Sequence, residues 1–316
     1  MRVVWTVLFL GFGAIGSHAQ EPELRLYVAN QTANTITVVD AYSLEILNTI
    51  RTGLNPHEIA VHVETGIAFA GNRREDTLSL IAIRTNREVT RIPSPGAPHG
   101  LVLTRGGKIL FVTGENQVHV FDVDGRRRIA SIEVGGSPHM LHALPDDSRI
   151  YTGNMADGTI SVIHVENLTV IATVPVGGSP EDLAISPDGE EILVGNQADD
   201  TLTLIDAATN EVLETIQLPD QGAPIRIRYT PDGETIFIAS RRDGAGVLRM
   251  DRATREITGK IPVAGVCVGM NFTPDGKLMF ITDLRAGTIS QVDPVTLEIL
   301  KTVATGAGAD AIELVN

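Results

Sequence analysis

Short runs in which apolar and polar residues nearly alternate recur along the chain. Thr35-Ile36-Thr37-Val38-Val39-Asp40 and Thr201-Leu202-Thr203-Leu204-Ile205-Asp206 are two of them. A period of two predicts a strand with one face toward a core. Each run is preceded by a strand-like segment ending in Asn or a substitute, as in Glu191–Asn196, and followed by a segment of the Glu-Val-Leu-Glu-Thr-Ile kind. Helical periodicity does not compete with this pattern anywhere after the first twenty residues.

The unit repeats, and the repeat decides the fold. Residues 53–61, 95–103, 135–143, 177–185 and 221–229 align without gaps on a Gly-x-x-Pro-His-like pattern, and 264–272 and 306–314 are two degenerate copies. A second landmark agrees with the first. The residues Asn30, Asn72, Gly114, Asn154, Asn196, Ser240 and Asp283 end equivalent strands and lie 40 to 44 residues apart. Turns such as Ser186-Pro187-Asp188-Gly189 join the first strand of a unit to the second; Pro presets φ and Asp-Gly accepts the tight reversal. Seven units of four antiparallel strands predict an all-β, seven-bladed propeller. The repeats begin on a second strand, Leu24–Asn30, and close on an unpaired first strand, Ala311–Val315. That arrangement predicts a ring closed by the C-terminal strand joining the N-terminal blade, which leaves no open sheet edge at the seam.

Composition fits many tightly packed strands. Apolar residues make up 43% of 316, enough for a large core, whereas aromatics are 4% and Gly and Pro are plentiful. The net charge of −14 argues against a nucleic-acid duplex as a partner. Residues 1–19 read as a signal peptide: Arg2, an apolar stretch from Val3 to Ile15, then Ser17-His18-Ala19 as a small-x-small cleavage site. The propeller is then expected over 20–316, in a secreted or periplasmic protein with no membrane span. The single cysteine, Cys267, allows no internal disulfide. It stands where other repeats have Pro and is expected to pack as a small hydrophobe. A monomer is expected.

Tyr27-Val28-Ala29-Asn30, followed by Thr-Ile-Thr-Val-Val-Asp, a Leu-Glu-Ile-Leu strand and then Gly-x-x-Pro-His, resembles the YVTN family of β-propeller repeats. The resemblance covers residues 24–316. It implies a scaffold shared by surface-layer proteins, periplasmic binding or accessory proteins and lactonase-like enzymes, so it specifies a fold more closely than a function.

Candidate chemistry follows from the repeat columns, because equivalent positions ring the channel at one depth. After the Pro column come His57, His99, His139, Glu181, Ile225, Val268 and Asp310. Three histidines on consecutive blades suit a divalent metal, with carboxylates completing the shell. They suit equally an anion site or plain packing at strand starts. Further columns carry Glu58, Asp182, Arg226, His142, Arg228 and Glu313, separated by an apolar column from Ile59 to Ile312. Two inward arginines on one strand need partners, and Glu58, Asp182 and Glu313 are the candidates. Loops after the Asn landmark add Arg73, Arg74, Arg241, Arg242 and Arg285 to the same face. Guanidinium forks suit carboxylate or phosphate. The Asn landmarks themselves are expected to cap turns by bonding local backbone, and His62, His119 and His164 to be surface or strand residues.

These columns favour a binding or accessory protein. It would take a small, anionic ligand or a protein partner at the channel mouth through His57, His99, His139, Glu181, Asp310, Arg73, Arg226, Arg228, Arg241 and Arg285. The alternative is a lactonase, lyase or isomerase in which His99 or His139, helped by Glu181, is the general base, possibly with a divalent metal. A surface structural protein is a third reading.

Overall fold

The computed structural model describes residues 24–219 and 222–315. The signal-peptide reading of residues 1–19 therefore lies outside the described residues. Seven four-stranded antiparallel sheets, each a meander, are arranged as blades of a ring. The strands nearest the channel are Ala309–Val315 in blade 1, Pro56–His62 in blade 2, Leu101–Leu103 in blade 3 and Pro138–Ala143 in blade 4. Pro180–Ile185, Pro224–Tyr229 and Met270–Phe272 follow in blades 5 to 7. Blade 1 is composite: Ala309–Val315 pairs antiparallel with Arg25–Asn30, so the C-terminal strand closes the ring as the repeats predict.

Each blade is apolar on both faces, and the packing shows why. The buried residues fall into seven clusters, and each cluster takes residues from two neighbouring blades. Tyr27, Ile36 and Val38 of blade 1 meet Ile59, Ala68 and Ile81 of blade 2 in one of them. Alternating small and large side chains let twisted sheets nest around the ring. Cys267 is buried in the cluster between blades 6 and 7, as expected of a small hydrophobe.

The two repeat landmarks turn out to be one device. Asn72 is fully buried, and its Nδ2 donates to Thr77 Oγ1 (3.0 Å) and Ser79 Oγ (2.9 Å) on the neighbouring third strand. Asn30 makes the same pair of bonds to Thr35 and Thr37, Asn154 to Thr159 and Ser161, and Asn196 to Thr201 and Thr203. The landmark thus bonds side-chain hydroxyls five and seven residues on, not local backbone, which corrects the turn-capping expectation. Those hydroxyls in turn hold the segment that enters their own blade from the preceding one: Gly53 N donates to Ser79 Oγ, and Thr203 Oγ1 donates to the Val176 carbonyl. The Gly of the Gly-x-x-Pro pattern is needed for the same contact. A Cβ on Gly53 would lie 2.5 Å from Asn72 Cγ, and one on Gly177 would lie 2.7 Å from Asn196 Cγ.

Removing the amide takes a donor from one buried and one half-buried hydroxyl, Thr203 and Thr201 in blade 5, and adding a methyl displaces the amide. Asn196→Ala and Gly177→Ala are each expected to cost about 2 kcal/mol. Gly106→Ala, where a Cβ meets nothing within 4 Å, serves as control. Chemical denaturation of the three variants checks this; an unchanged midpoint for Gly177→Ala would show that the close approach does not matter.

Candidate functional site

Strict alternation would send His57 and Glu58 to opposite faces of their strand. Instead a β-bulge places both at the channel. Pro56 pairs with Asn72 and Ile59 with Ala70, so two residues oppose one. The register shifts at the same place in blade 4 between Pro138 and Leu141, in blade 5 between Pro180 and Asp182, in blade 6 between Pro224 and Arg226, and in the closing blade between Asn30 and Val28. Bulges re-aim side chains in this way. The residue before the Pro has left-handed backbone in five blades: Asn55, Ala97, Ser137, Ser179 and Ala223. It turns the chain inward just ahead of the His column.

The result is a cavity of about 370 Å³ at one mouth of the channel. His57, His99, His139, Glu181, Asp310 and Arg226 line it, and Gln31, Arg73 and Arg241 stand among the loop residues around it. The three histidines meet as a stack. The His99 ring lies between the other two, with centroids 3.8 Å from His57 and 3.6 Å from His139, and the outer rings are 6.4 Å apart. Burial, reinforced by the charges of its neighbours, pulls His99 well below the ordinary imidazole range. His139 is lowered to about 3, again first by burial. Both rings are neutral at physiological pH. His139 Nδ1 donates to the Glu181 carbonyl (3.0 Å), which fixes its tautomer and leaves Nε2 as an acceptor. Neither nitrogen of His99 has a partner.

Below the stack an ion pair spans the channel. Arg226 of blade 6 donates through Nη2 to Glu58 Oε1 of blade 2 (2.7 Å) and through Nε to the Val268 carbonyl of blade 7 (2.5 Å). Both partners are buried. Burial alone would raise the Glu58 carboxyl, but Arg226 and His57 hold it at about 2. Arg228 pairs with Asp182 (3.1 Å), which also accepts from His142 and from the Ile227 backbone. Two of the three expected carboxylate partners of the arginine pair are thereby realised.

The candidate residues separate into three groups. His57, His99, His139, Glu181, Asp310, Arg73, Arg226 and Arg241 are brought together at the mouth. Arg228 lines a second cavity at the opposite end of the channel, with His142 and Glu313. Arg285 pairs with Asp243 (2.7 Å) on an exposed loop and does not line the mouth. As a metal triad, the three histidines are not what converges. The donor atoms lying within 4.8 Å of one another are those of His57, Glu58 and Asp310. Gln31, which donates to Asp310 Oδ2, stands in the column of Arg73 and Arg241 and was missed because only charged residues were singled out there. The equivalent Gln197 donates to Glu181, and that recurrence was the available signal. His119, expected at the surface or in a strand, is buried in its strand and bonded to Ser131 and the Pro95 carbonyl.

Glu181 is the mouth carboxyl that titrates near neutrality. Burial raises it to about 7 against the opposing charge of Arg241, whose Nη1 lies 3.3 Å from Oε1. Between its ordinary value of 4.5 and 7 the folded chain holds more protons at this site than the unfolded one. Stability from this group is therefore full below pH 4.5 and falls as pH rises to 7, by about 3 kcal/mol at most. Glu181→Gln is expected to exceed the parent in stability at pH 8 and to match it at pH 4. Denaturation midpoints at the two pH values check this; an equal difference at both would mean that the carboxyl ionises normally.

Comparisons with known proteins agree with this architecture. The YNCE-like beta-propeller family matches residues 108–227 and again 140–264. Antigen Lp49 of Leptospira interrogans is 23% identical over 147 residues, which are 43% of this chain and 32% of that protein. The match thus spans about a third of the length of that relative. Among solved structures, a functionally unknown protein from Desulfotomaculum acetoxidans superposes with a TM-score of 0.80 at 13% identity, covering 92% of this chain and 99% of that one. A chain of the Kuenenia stuttgartiensis hydrazine synthase gives a TM-score of 0.70 at 18% identity, covering 81% and 88%. The chain is a β-propeller repeat protein with seven blades.

Proposed function

We propose that the protein is an exported propeller of the YVTN type, secreted or periplasmic, that binds a small anionic ligand in the cavity at the histidine-lined mouth. One observation carries the reading: the cavity is walled by buried donors that have no acceptor. Arg226 Nη1 and both nitrogens of His99 are without partners, and a neutral imidazole keeps one N–H to donate. Unmet donors of this kind are costly in a folded chain, and an anion supplies the acceptors they lack. Arg73 and Arg241 at the rim add fork-shaped cationic groups suited to a carboxylate or phosphate. A cavity of about 370 Å³ has the volume of roughly a dozen water molecules, so the ligand is small.

The enzyme alternative is less well served by this site. A general base works best when its pKa lies near the operating pH; burial takes His99 and His139 far below that range, so the alternative rests on Glu181, raised to about 7, as the base in their place. An accessory role, in which the filled mouth is presented to a protein partner, remains compatible with the same geometry.

A panel of small mono-, di- and tricarboxylates and inorganic phosphate, screened by thermal shift and then by calorimetry in EDTA, tests the proposal. At least one is expected to raise the unfolding temperature; free ligand at 100 times Kd adds about 2.7 kcal/mol. The double variant Arg73→Ala/Arg241→Ala is expected to weaken that ligand at least tenfold, and Arg73→Ala alone, which leaves the Arg241–Glu181 pair in place, to weaken it by a smaller factor with the unliganded transition unchanged. Binding that ignores both arginines, or no binding across the panel, would overturn the reading.

A further inference from the structure

The corner of the mouth where blades 1 and 2 meet gathers three ligand atoms that do not satisfy one another. His57 Nδ1 lies 3.3 Å from Asp310 Oδ2 and 3.7 Å from Glu58 Oε1. None of these approaches has hydrogen-bond geometry, and His57 Nδ1 is left without a partner. Asp310 is almost wholly buried, and its Oδ1 is also unpartnered. The oxygen that faces His57 Nδ1 is Oδ2, which accepts from Gln31 but makes no hydrogen bond with the imidazole, and a cation seated between them would bond both.

We infer that His57, Glu58 and Asp310 form a site for a borderline divalent cation of the zinc class, and that the cation's open position faces the cavity. The inference deepens the anion-binding reading and rests on it for the identity of the exchangeable ligand. Metal–nitrogen and metal–oxygen bonds of about 2.0–2.2 Å at a tetrahedral angle leave ligand atoms about 3.3–3.6 Å apart. The His57–Asp310 separation already has that value, and the His57–Glu58 separation is slightly wider. One imidazole with two carboxylates suits zinc or cobalt better than calcium or magnesium, which take all-oxygen shells.

The surroundings match a metal centre as well. Ligating carboxylates in metal sites are held by further hydrogen bonds. Here Arg226 donates to Glu58 Oε1, and Gln31 donates to Asp310 Oδ2. The His57 ring packs against His99, tilted by 45° with centroids 3.8 Å apart. His57 and Asp310 line the cavity, whereas Glu58 closes it from below. Three protein ligands leave a coordination position toward the space into which Arg73 and Arg241 also project. An anion could then bridge the cation and the arginines.

The full chain, stripped with EDTA and dialysed, is titrated with Co²⁺ and followed by visible absorption, with Zn²⁺ competition read by calorimetry. One equivalent of Co²⁺ is expected, with an absorption band displaced by Zn²⁺. Asp310→Asn and His57→Ala are expected to weaken uptake at least tenfold. His139→Ala, which lies outside the donor group, is expected to leave it within twofold. Thermal transitions of all variants confirm folding. Gln31→Ala, which keeps all three ligands, is expected to weaken uptake by a smaller factor and serves if a ligand variant does not fold. No stoichiometric uptake by the parent overturns the inference, as does uptake lost in His139→Ala but kept in His57→Ala. Carboxylate binding in EDTA stands or falls separately: it persists if only the metal site is wrong, and metal uptake persists if only the anion reading is wrong.

Discussion

The ring depends on a buried amide. In blades 1, 2, 4 and 5 one asparagine carboxamide ties the end of the second strand to two hydroxyls on the third, and in blades 1, 2 and 5 the second of those hydroxyls also bonds the segment arriving from the preceding blade. A side chain on the adjacent glycine would occupy the space that the amide fills. In those blades the position and orientation of the inward turn therefore follow from a contact that the mouth side chains do not make. The channel mouth can vary its chemistry because its support does not share residues with it. Apolar packing between blades supplies the bulk of the driving force, but it is non-directional; the amide sets the register.

The fold was legible because it is repetitive. Asn30, Asn72, Asn154 and Asn196 recur at nearly constant spacing, and strands of period two lie between them. Closure by Ala309–Val315 followed from which strand of the unit lacked a partner. The site was legible by column but not by face. His57 and Glu58 are neighbours in sequence, and only the bulge at Pro56 lets both side chains act at one place. Alternation rules carry no information about an extra residue in a strand. Distances between blades were equally hidden. Three histidines in one column read as a chelating triad, whereas their rings stack, and the converging donors come from His57, Glu58 and Asp310. Arg285 shares a column with Arg74 and Arg242, and its loop holds it on Asp243, while Leu284 takes the place at the mouth that Arg241 has in blade 6.

Electrostatics at the mouth is a contest between burial and pairing. Glu58 and Asp182 each face a guanidinium and stay ionised although burial opposes it. Glu181 and Asp310 are raised because burial outweighs the cations near them. His99 and His139 lose their charge for the same reason. An acidic protein thus presents, at one small opening, neutral imidazoles and arginines whose partners are only partly committed.

The Arg226–Glu58 bridge reaches across the lumen between blades that are not neighbours. It acts as a crossbar, and it divides what would be a bore into two cups: one walled by the stacked histidines, the other by His142, Arg228 and Glu313. The cups are in electrical communication, since Arg226 stands within the field of Glu58, Asp310 and Asp182. Charge placed in either cup therefore shifts the balance at the crossbar.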